Sequence, residues 1–516
     1  MDLDSWSWKV VVLAFLSTAT LSGIWSLVSP IMLVPDEASH TVRAVSLWQG
    51  DLLGRRFELV NEGPPRVEAV NFEVHLPAGF RGIGSQTECY DNGMRAAGCA
   101  VPLSPADGQI LFGTSAGAYQ PLWYALMGAP SRVLTPVQAI YAGRLLQALV
   151  GSMFFAATIG LAAMLAGRLG VAIVVLGITP TAVWILGSIN PNGVEIASAT
   201  TLWLSLMVLL VRPRSRGIAW LVGVSAVAVA WSRPFSPFFT VGIVATVLVL
   251  TLDRDRLRAL RDSAGAKIAL GVAVAAVVSS MAWNAATGAL DTFIRVADPS
   301  LTPGVAAGVS WDLTEHRLEQ MVGRFGLLNI RLPFPAVVVW ALAVVAVLLV
   351  ALWWGTWRQR VMLTALIGAT LGLPVLAEAF TAAEYGLTWQ GRYTMPVAFG
   401  VLACVVWIIR EGRTPLPAAV SVLVLPLVAV SVVFGHVAGH LQTMQRVSTG
   451  DGFSLLAYLS QPGWSPPGPD LLLLIGVVLA AVGLVATTWA TPQHTAASSS
   501  SKDDISATVP DVQSVA

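Results

Sequence analysis

About twelve stretches of this chain are apolar over the roughly 20 residues that a helix needs to cross a bilayer core. The first runs from Val10 to Val34. It is too long for a signal-peptide core and no small-x-small cleavage site follows, so it reads as a retained signal anchor. The others lie near Ala139–Leu165, Val171–Gly187, Gly193–Val211, Ile218–Trp231, Phe235–Leu252, Ile268–Ala286, Phe334–Trp354, Val361–Ala382, Thr394–Ile409, Pro417–Phe434 and Leu471–Trp489. Ile218–Leu252 reads either as two short helices broken at Ser232-Arg233-Pro234 or as one kinked helix. Only 11% of the 516 residues are charged and mean hydropathy is +0.71, against about 25% charge in soluble domains. A soluble enzyme, a disordered chain and a coiled coil are excluded. With 30 Lys+Arg against 29 Asp+Glu, so is a nucleic-acid binder working through bulk positive charge. The expected fold is an all-α polytopic membrane protein of about 12 transmembrane helices.

The short loops set the orientation. Arg212–Arg216, Arg254–Lys267, Arg358–Arg360 and Arg410–Arg413 share one side if the spans alternate. The positive-inside rule makes that side cytoplasmic, with both termini there. The Ser498–Ser501 run and its polar neighbours read as a disordered tail over 491–516. The expected layout is a first span over 1–34, a large extracytoplasmic segment over 35–137, and a bundle over 138–490 with outer loops 287–333 and 436–470. The large segment divides into a loop, Pro35–Gln120, and an interfacial helix. Val67–Leu76 alternates like a short strand. Cys89 and Cys99, outside the cytoplasm, can close a small disulfide loop, whereas Cys404 lies inside a span as a buried apolar side chain. Mass concentrated on one face of a bundle, in loops longer than about 15 residues, points to work done at that face.

The sharpest chemical feature directly follows the first span: Pro35-Asp36-Glu37-Ala38-Ser39-His40, then Arg43. If a helix starts here, its positive end suits the acids, and Asp36, His40 and Arg43 share a face. The bland alternative is a helix cap with solvated charges. The functional one is a carboxylate that takes a proton from an acceptor hydroxyl, or binds a divalent cation, magnesium or manganese, that clamps a phosphate. Tyr119-Gln120-Pro121-Leu122-Trp123-Tyr124 reads equally as a set of interfacial anchors and as substrate contacts. Arg144, inside an apolar run, needs a partner or an aqueous cavity. Asn190, Asn192 and Glu195 mark a turn between spans, and Arg233 falls on the same outer side. Gln390-Gly391-Arg392-Tyr393 opens another span. There Arg392 reads either as a snorkelling side chain or as a phosphate ligand. His436 and His440 supply only two ligands, which favours a structural role over a metal site. No phosphate-binding Gly-rich loop, dinucleotide fingerprint or hydrolase elbow has its supporting context, so no nucleotide cofactor is expected.

The acidic pair after the first span, the large first outer loop and the multi-span frame resemble the GT-C superfamily, integral-membrane glycosyltransferases that use polyprenyl-phosphate sugars. More narrowly, "PDEASH", "YQPLWY", "AGRLL", "SINPNG" and "QGRY" resemble a bacterial family of predicted multi-span membrane proteins long labelled as of unknown function. The resemblance covers about Val10 to Trp489. It implies an inverting-type transfer of a sugar from an undecaprenyl- or decaprenyl-phosphate carrier to a cell-envelope glycan or glycolipid at the extracytoplasmic face of the plasma membrane. Asp36 or Glu37 would be the catalytic base. His40, Arg43, Tyr119, Gln120, Arg144, Asn190, Asn192, Glu195, Arg233, Gln390, Arg392 and Tyr393 would bind substrate, with outer arginines on the carrier phosphate. The family pattern often places an acid after the Asn-Pro of its third motif, where this chain has Asn192, which weakens any role for that turn. The competing class is a transporter or flippase of lipid-linked sugars, which favours internal repeats and midplane sites; no clear repeat is evident. A non-catalytic scaffold would leave Arg144 and Glu195 without a reason.

Overall fold

The computed structural model describes residues 8–63, 66–91, 96–251, 253–292, 294–412, 416–450, 455–460 and 462–492. The tail from 493, with its Ser498–Ser501 run, and Arg413 of the basic loops lie outside the described residues. Among these, nine helices are long and apolar enough to cross a membrane, and two shorter apolar helices, Arg216–Ala230 and Ser236–Thr251, join them. The chain is therefore a predominantly helical, multi-pass membrane protein.

Several expected boundaries move. The runs Ala139–Leu165 and Val171–Gly187 fall on two helices within Pro136–Gly177 that part at Ala166 and Gly167, where the backbone leaves the helical region and Gly167 has φ 57°. The second of them ends at Ile178, short of the expected Gly187, and a separate seven-residue helix, Pro180–Leu186, follows. Proline at its first position explains the restart, since proline lacks the N–H that an uninterrupted helix would use. Ile218–Leu252 is two helices, with Arg233 in the break. The third outer loop starts later than His436. The helix Ala418–Thr449 carries on past the apolar run, because Gly435, His436, Gly439, His440 and Thr443 are buried against neighbouring protein. Apolarity marks lipid contact, and a helix buried in protein can outrun it.

The large first loop adds a small sheet to the helical frame, where Val67–Leu76 reads as a strand. Strands β1 (Arg55–Asn61), β2 (Val67–Pro77) and β3 (Gln109–Thr114) form an antiparallel sheet, in register through Arg55↔Glu73 and Phe72↔Thr114. The even phase of β2 points inward at Phe72, Val74 and Leu76. A fourth strand, β4 (Arg295–Val296), comes from the second long loop and pairs with the start of β2. The two loops thus share one sheet. Further along the second loop, β5 (Arg324–Phe325) and β6 (Ile330–Arg331) make a small hairpin. Cys89 and Cys99 are bonded, with Cα atoms 5.7 Å apart, and Cys404 is free and buried. Tyr90, beside the bridge, donates to Ile31 O at 2.9 Å and ties the loop to the end of the first span.

Two short helices complete this layer. Glu37–Leu47 and Pro121–Gly128 cross closely because Gly128 has no side chain; a Cβ there would meet Ala44 O at 1.9 Å. Together with the sheet they cover one end of the bundle.

Candidate active site

Asp36 and Glu37 are neighbours in sequence with opposite environments. Glu37 opens its helix and is fully buried. Arg144 reaches it from the helix Pro136–Gly177, Nε to Oε1 at 2.7 Å and a terminal nitrogen to Oε2 at 2.6 Å. Met32 N and Ile189 N also donate to it, at 3.2 and 3.0 Å. The remaining donors of Arg144 go to the carbonyls of Ser26, Ser29 and Pro30, at 2.8, 2.6 and 3.0 Å. Every strong valence of this pair is spent inside the protein. Glu37 therefore cannot meet a substrate proton, and Arg144 cannot meet a phosphate. Both expectations are corrected: the pair is a lock that fixes the chain where it leaves the first span.

Asp36 is held at φ 65°, ψ −2°, in the left-handed region. An aspartate at this position usually caps the helix with its carboxylate, but this one makes no side-chain cap bond. Its side chain is 52% exposed and turns to Arg392, with which it forms a close ion pair through Oδ2. Enclosure by surrounding protein acts to raise its pKa, but Arg392, His40 and Arg233 outweigh it and hold the carboxyl below the usual aspartate value.

Arg392 comes from the start of the helix Gly391–Glu411. It also donates to Pro35 O at 3.2 Å and to the Tyr393 hydroxyl at 3.1 Å, and its Nε is buried with no hydrogen-bond partner. The preceding Gly391 is required by a close approach, since a Cβ would lie 2.2 Å from Arg317 O. The fork of Arg392 is thus largely committed to the Asp36 loop, which corrects its expected role as an open phosphate clamp.

Arg233 is the better placed cation. It lies over the Tyr393 ring, 4.5 Å from the centroid, and 3.5 Å from Glu195 Oε2. Glu195 is fully buried and accepts from Asn192 Nδ2 at 2.7 Å and Ser236 Oγ at 2.5 Å. Asn190 caps the same helix and donates to Pro35 O at 2.9 Å. Asn190, Asn192 and Glu195 therefore act behind the site, holding Arg233 and the Asp36 loop, and not as direct ligands.

Tyr119, Tyr124 and His40 form the other wall. The Tyr124 hydroxyl meets His40 Nδ1 at 2.8 Å, and the His40 and Tyr119 rings are 6.0 Å apart. Burial pushes His40 down to about 3, so its imidazole is neutral near pH 7. Burial also pushes Tyr119 up to about 12. Arg43 does not join the site: it is buried and donates to the carbonyls of Asp51, Leu52 and Tyr119 at 3.2, 2.9 and 3.0 Å. Gln120 is likewise drawn inward, donating to Ser280 Oγ at 3.0 Å and Asn284 Oδ1 at 2.9 Å. Those residues in turn donate to Ala230 O and Pro234 O, at 2.6 and 2.8 Å, on either side of Arg233. Gln390 Oε1 is buried with no partner.

Ser236, Ser280 and Asn284 were not among the residues singled out from sequence. The available signal was Ser280 and Asn284, polar at i and i+4 within an apolar span.

The arrangement brings one solvent-reaching carboxylate, two guanidiniums, a neutral imidazole and three tyrosines to one end of a membrane bundle. Among the described residues no group of three His, Cys, Asp or Glu gathers. Asp36 also faces two cations, a donor set that does not suit magnesium or manganese. The molecule is thus a polytopic membrane protein with an ionic site at one end of its helices. It belongs to the family described as Predicted membrane protein (DUF2142), whose model matches residues 20–401. No curated protein and no solved structure matches it.

Proposed function

We propose that the protein is a membrane glycosyltransferase that moves a sugar from a polyprenyl-phosphate carrier to a cell-envelope acceptor at the extracytoplasmic face. The observation that carries this reading is Asp36, a reachable carboxylate held ionised by its ion pair with Arg392, with Arg233, a second cation over Tyr393, near enough for its charge to act on Asp36. In this reaction the acceptor hydroxyl gives its proton to Asp36 as its oxygen bonds to the anomeric carbon. The bond from that carbon to the carrier phosphate breaks, and its electron pair leaves with the phosphate. Arg233 meets the charge that develops there. Arg392 holds the Asp36 carboxylate in position. A polyprenyl phosphate is a sufficient leaving group, so the chemistry calls for no nucleotide fold. Spans beside the site give the lipid tail a place to lie.

A strain lacking the gene tests this. Mass spectrometry of its lipids should find one polyprenyl-phosphoryl sugar accumulating and one envelope glycan missing that sugar. Unchanged pools and glycans would remove the reading. Accumulation confined to the cytoplasmic leaflet would favour a flippase of lipid-linked sugars, the reading to which the helix break at Ile178–Thr179 lends support.

A further inference from the structure

At the end of the bundle that carries the long loops, a recess of about 300 Å³ opens between the β5–β6 hairpin and the last turns of the helix Ala418–Thr449. Asn329, Arg331, Gln442, Gln445 and Arg446 wall it, and among the described residues no carboxylate does. Gln442, Gln445 and Arg446 stand at i, i+3 and i+4 and so share one face of their helix. That helix has 32 residues. At about 1.5 Å per residue it is about 48 Å long, against about 30 Å for the bilayer core. Its last turns therefore stand clear of the lipid.

The hairpin sorts its two arginines. Arg324 and Arg331 are partners in register. Arg324 is buried and binds Glu319 Oε2 through Nε and a terminal nitrogen, at 3.0 and 2.7 Å. It also donates to Leu328 O at 3.2 Å, which pins a turn where Leu328 has φ 64°. A leucine takes that left-handed backbone only under constraint. The turn leads directly into Asn329 and Arg331. Arg331 is exposed and, among the described residues, makes no ion pair. The field around it is positive. Burial and Arg324 hold nearby His316 below the usual histidine value; Arg331 and Arg317 add to this and Glu319 alone opposes it. Arg446 is engaged within the protein as well, and its place in the last turn suits the negative end of its helix. Arg331 is therefore the cation with its fork to give.

We propose that this recess binds one sugar residue bearing a negative charge, a carboxylate or a phosphate ester, on a water-borne glycan. Arg331 takes the anion through its fork, with Arg446 adding charge. The carboxamides of Asn329, Gln442 and Gln445 both donate and accept, as sugar hydroxyls require. Much of the remaining wall is aliphatic and suits the C–H face of a sugar ring. The volume lies at the small end of the about 300–1,000 Å³ usual for ligand pockets, which fits a single residue. The binding needs no transfer reaction, so it stands or falls apart from the proposed activity.

Isothermal titration calorimetry of the full chain in phosphatidylcholine nanodiscs tests the site, with trigalacturonate, glucose 6-phosphate and neutral maltotriose as probes. One of the two anionic sugars should bind at least about tenfold more tightly than maltotriose, and the tighter one identifies the anion. Arg331→Gln should weaken that sugar about tenfold, and Arg331→Lys should fall between, since it keeps charge and loses the fork. Arg55→Gln, which alters an exposed cation of the same layer, should change nothing. The proposal is overturned if neither anion outbinds maltotriose, if Arg331→Gln binds like the wild type, or if Arg55→Gln loses as much. Inorganic phosphate binding as tightly as the better sugar would also overturn it, leaving a bare anion site. Asp451, the next acid after Arg446 in the chain, lies outside the described residues. Asp451→Asn should bind like the wild type. Binding seen only in that variant would mean that the chain's own carboxylate fills the recess, and would overturn the proposal. Arg331→Lys keeps the test decisive if the glutamine variant fails to fold.

Discussion

Arg144 and Glu37 meet in a two-point contact with both side chains completely buried, joining residues 107 positions apart in the chain. This contact decides what the acid pair after the first span can do. It takes Glu37 out of contact with solvent and leaves Asp36, one residue earlier, as the acid of the pair that solvent reaches.

The two acids should therefore fail differently. Asp36→Asn should fold, insert and lose transfer by about 10²–10⁴ in rate. Glu37→Gln should instead fail to accumulate in the membrane, because Arg144 is left as an unbalanced buried charge, a loss of about 3–5 kcal/mol. Membrane yield and transfer in proteoliposomes, measured on both variants, separate the roles. Active, well-folded Glu37→Gln would dissolve the lock, and active Asp36→Asn would dissolve the base.

Arg233 and Arg392 should also part company. Arg233→Lys loses the planar fork and the contact with Tyr393 and should weaken donor affinity by about tenfold. Arg392→Lys leaves Asp36 poorly held and should lower kcat with donor affinity little changed. Donor titrations and single-turnover rates on the purified variants check this. A donor-affinity loss confined to Arg392→Lys would return the phosphate contact to Arg392.

Acid should act through His40 and hardly through Asp36. Buried His40 refuses its proton down to about pH 3, whereas an unfolded histidine accepts one near pH 6.5. Native stability should therefore drop as pH falls below 6.5, and the drop should be smaller in His40→Gln. Asp36 has the opposite sign. Its lowered pKa adds stability that is present above about pH 3.9 and is lost only as pH falls through the lower folded value. Thermal melts of both proteins between pH 7 and pH 4 provide the comparison, and parallel curves would contradict the burial of His40.

Thiol labelling of denatured, unreduced protein should modify Cys404 alone, since Cys89 and Cys99 are bonded. Three labelled thiols would contradict the bridge and the extracytoplasmic placement of the loop.

The apolar runs made the bundle legible because lipid contact leaves a direct compositional trace. The first and last spans lie close to where the sequence puts them. Where helices pack on protein the trace fails: Ala418–Thr449 outruns its apolar stretch. The site was legible as a set of motifs and not as a division of labour. Nothing local distinguishes Asp36 from Glu37. Their roles are set by Arg144 and Arg392, whose positions depend on how distant helices pack. Asn284 and Ser280 went unnoticed because small polar residues in an apolar span are common and gain meaning only beside Gln120.

The backbone of Asp36 also limits which side chains evolution can place there. A left-handed residue just before a helix is tolerated by glycine, asparagine and aspartate and disfavoured for longer side chains. Of those three only aspartate carries a charge. Glutamate, the usual conservative exchange, would have to force the loop out of its turn or bear the strain itself. Met32, in the same turn, bears that strain because it is packed in the core, at φ 64°; a half-exposed residue at position 36 lacks such packing, so descendants that keep this geometry and a proton acceptor there should favour aspartate over glutamate.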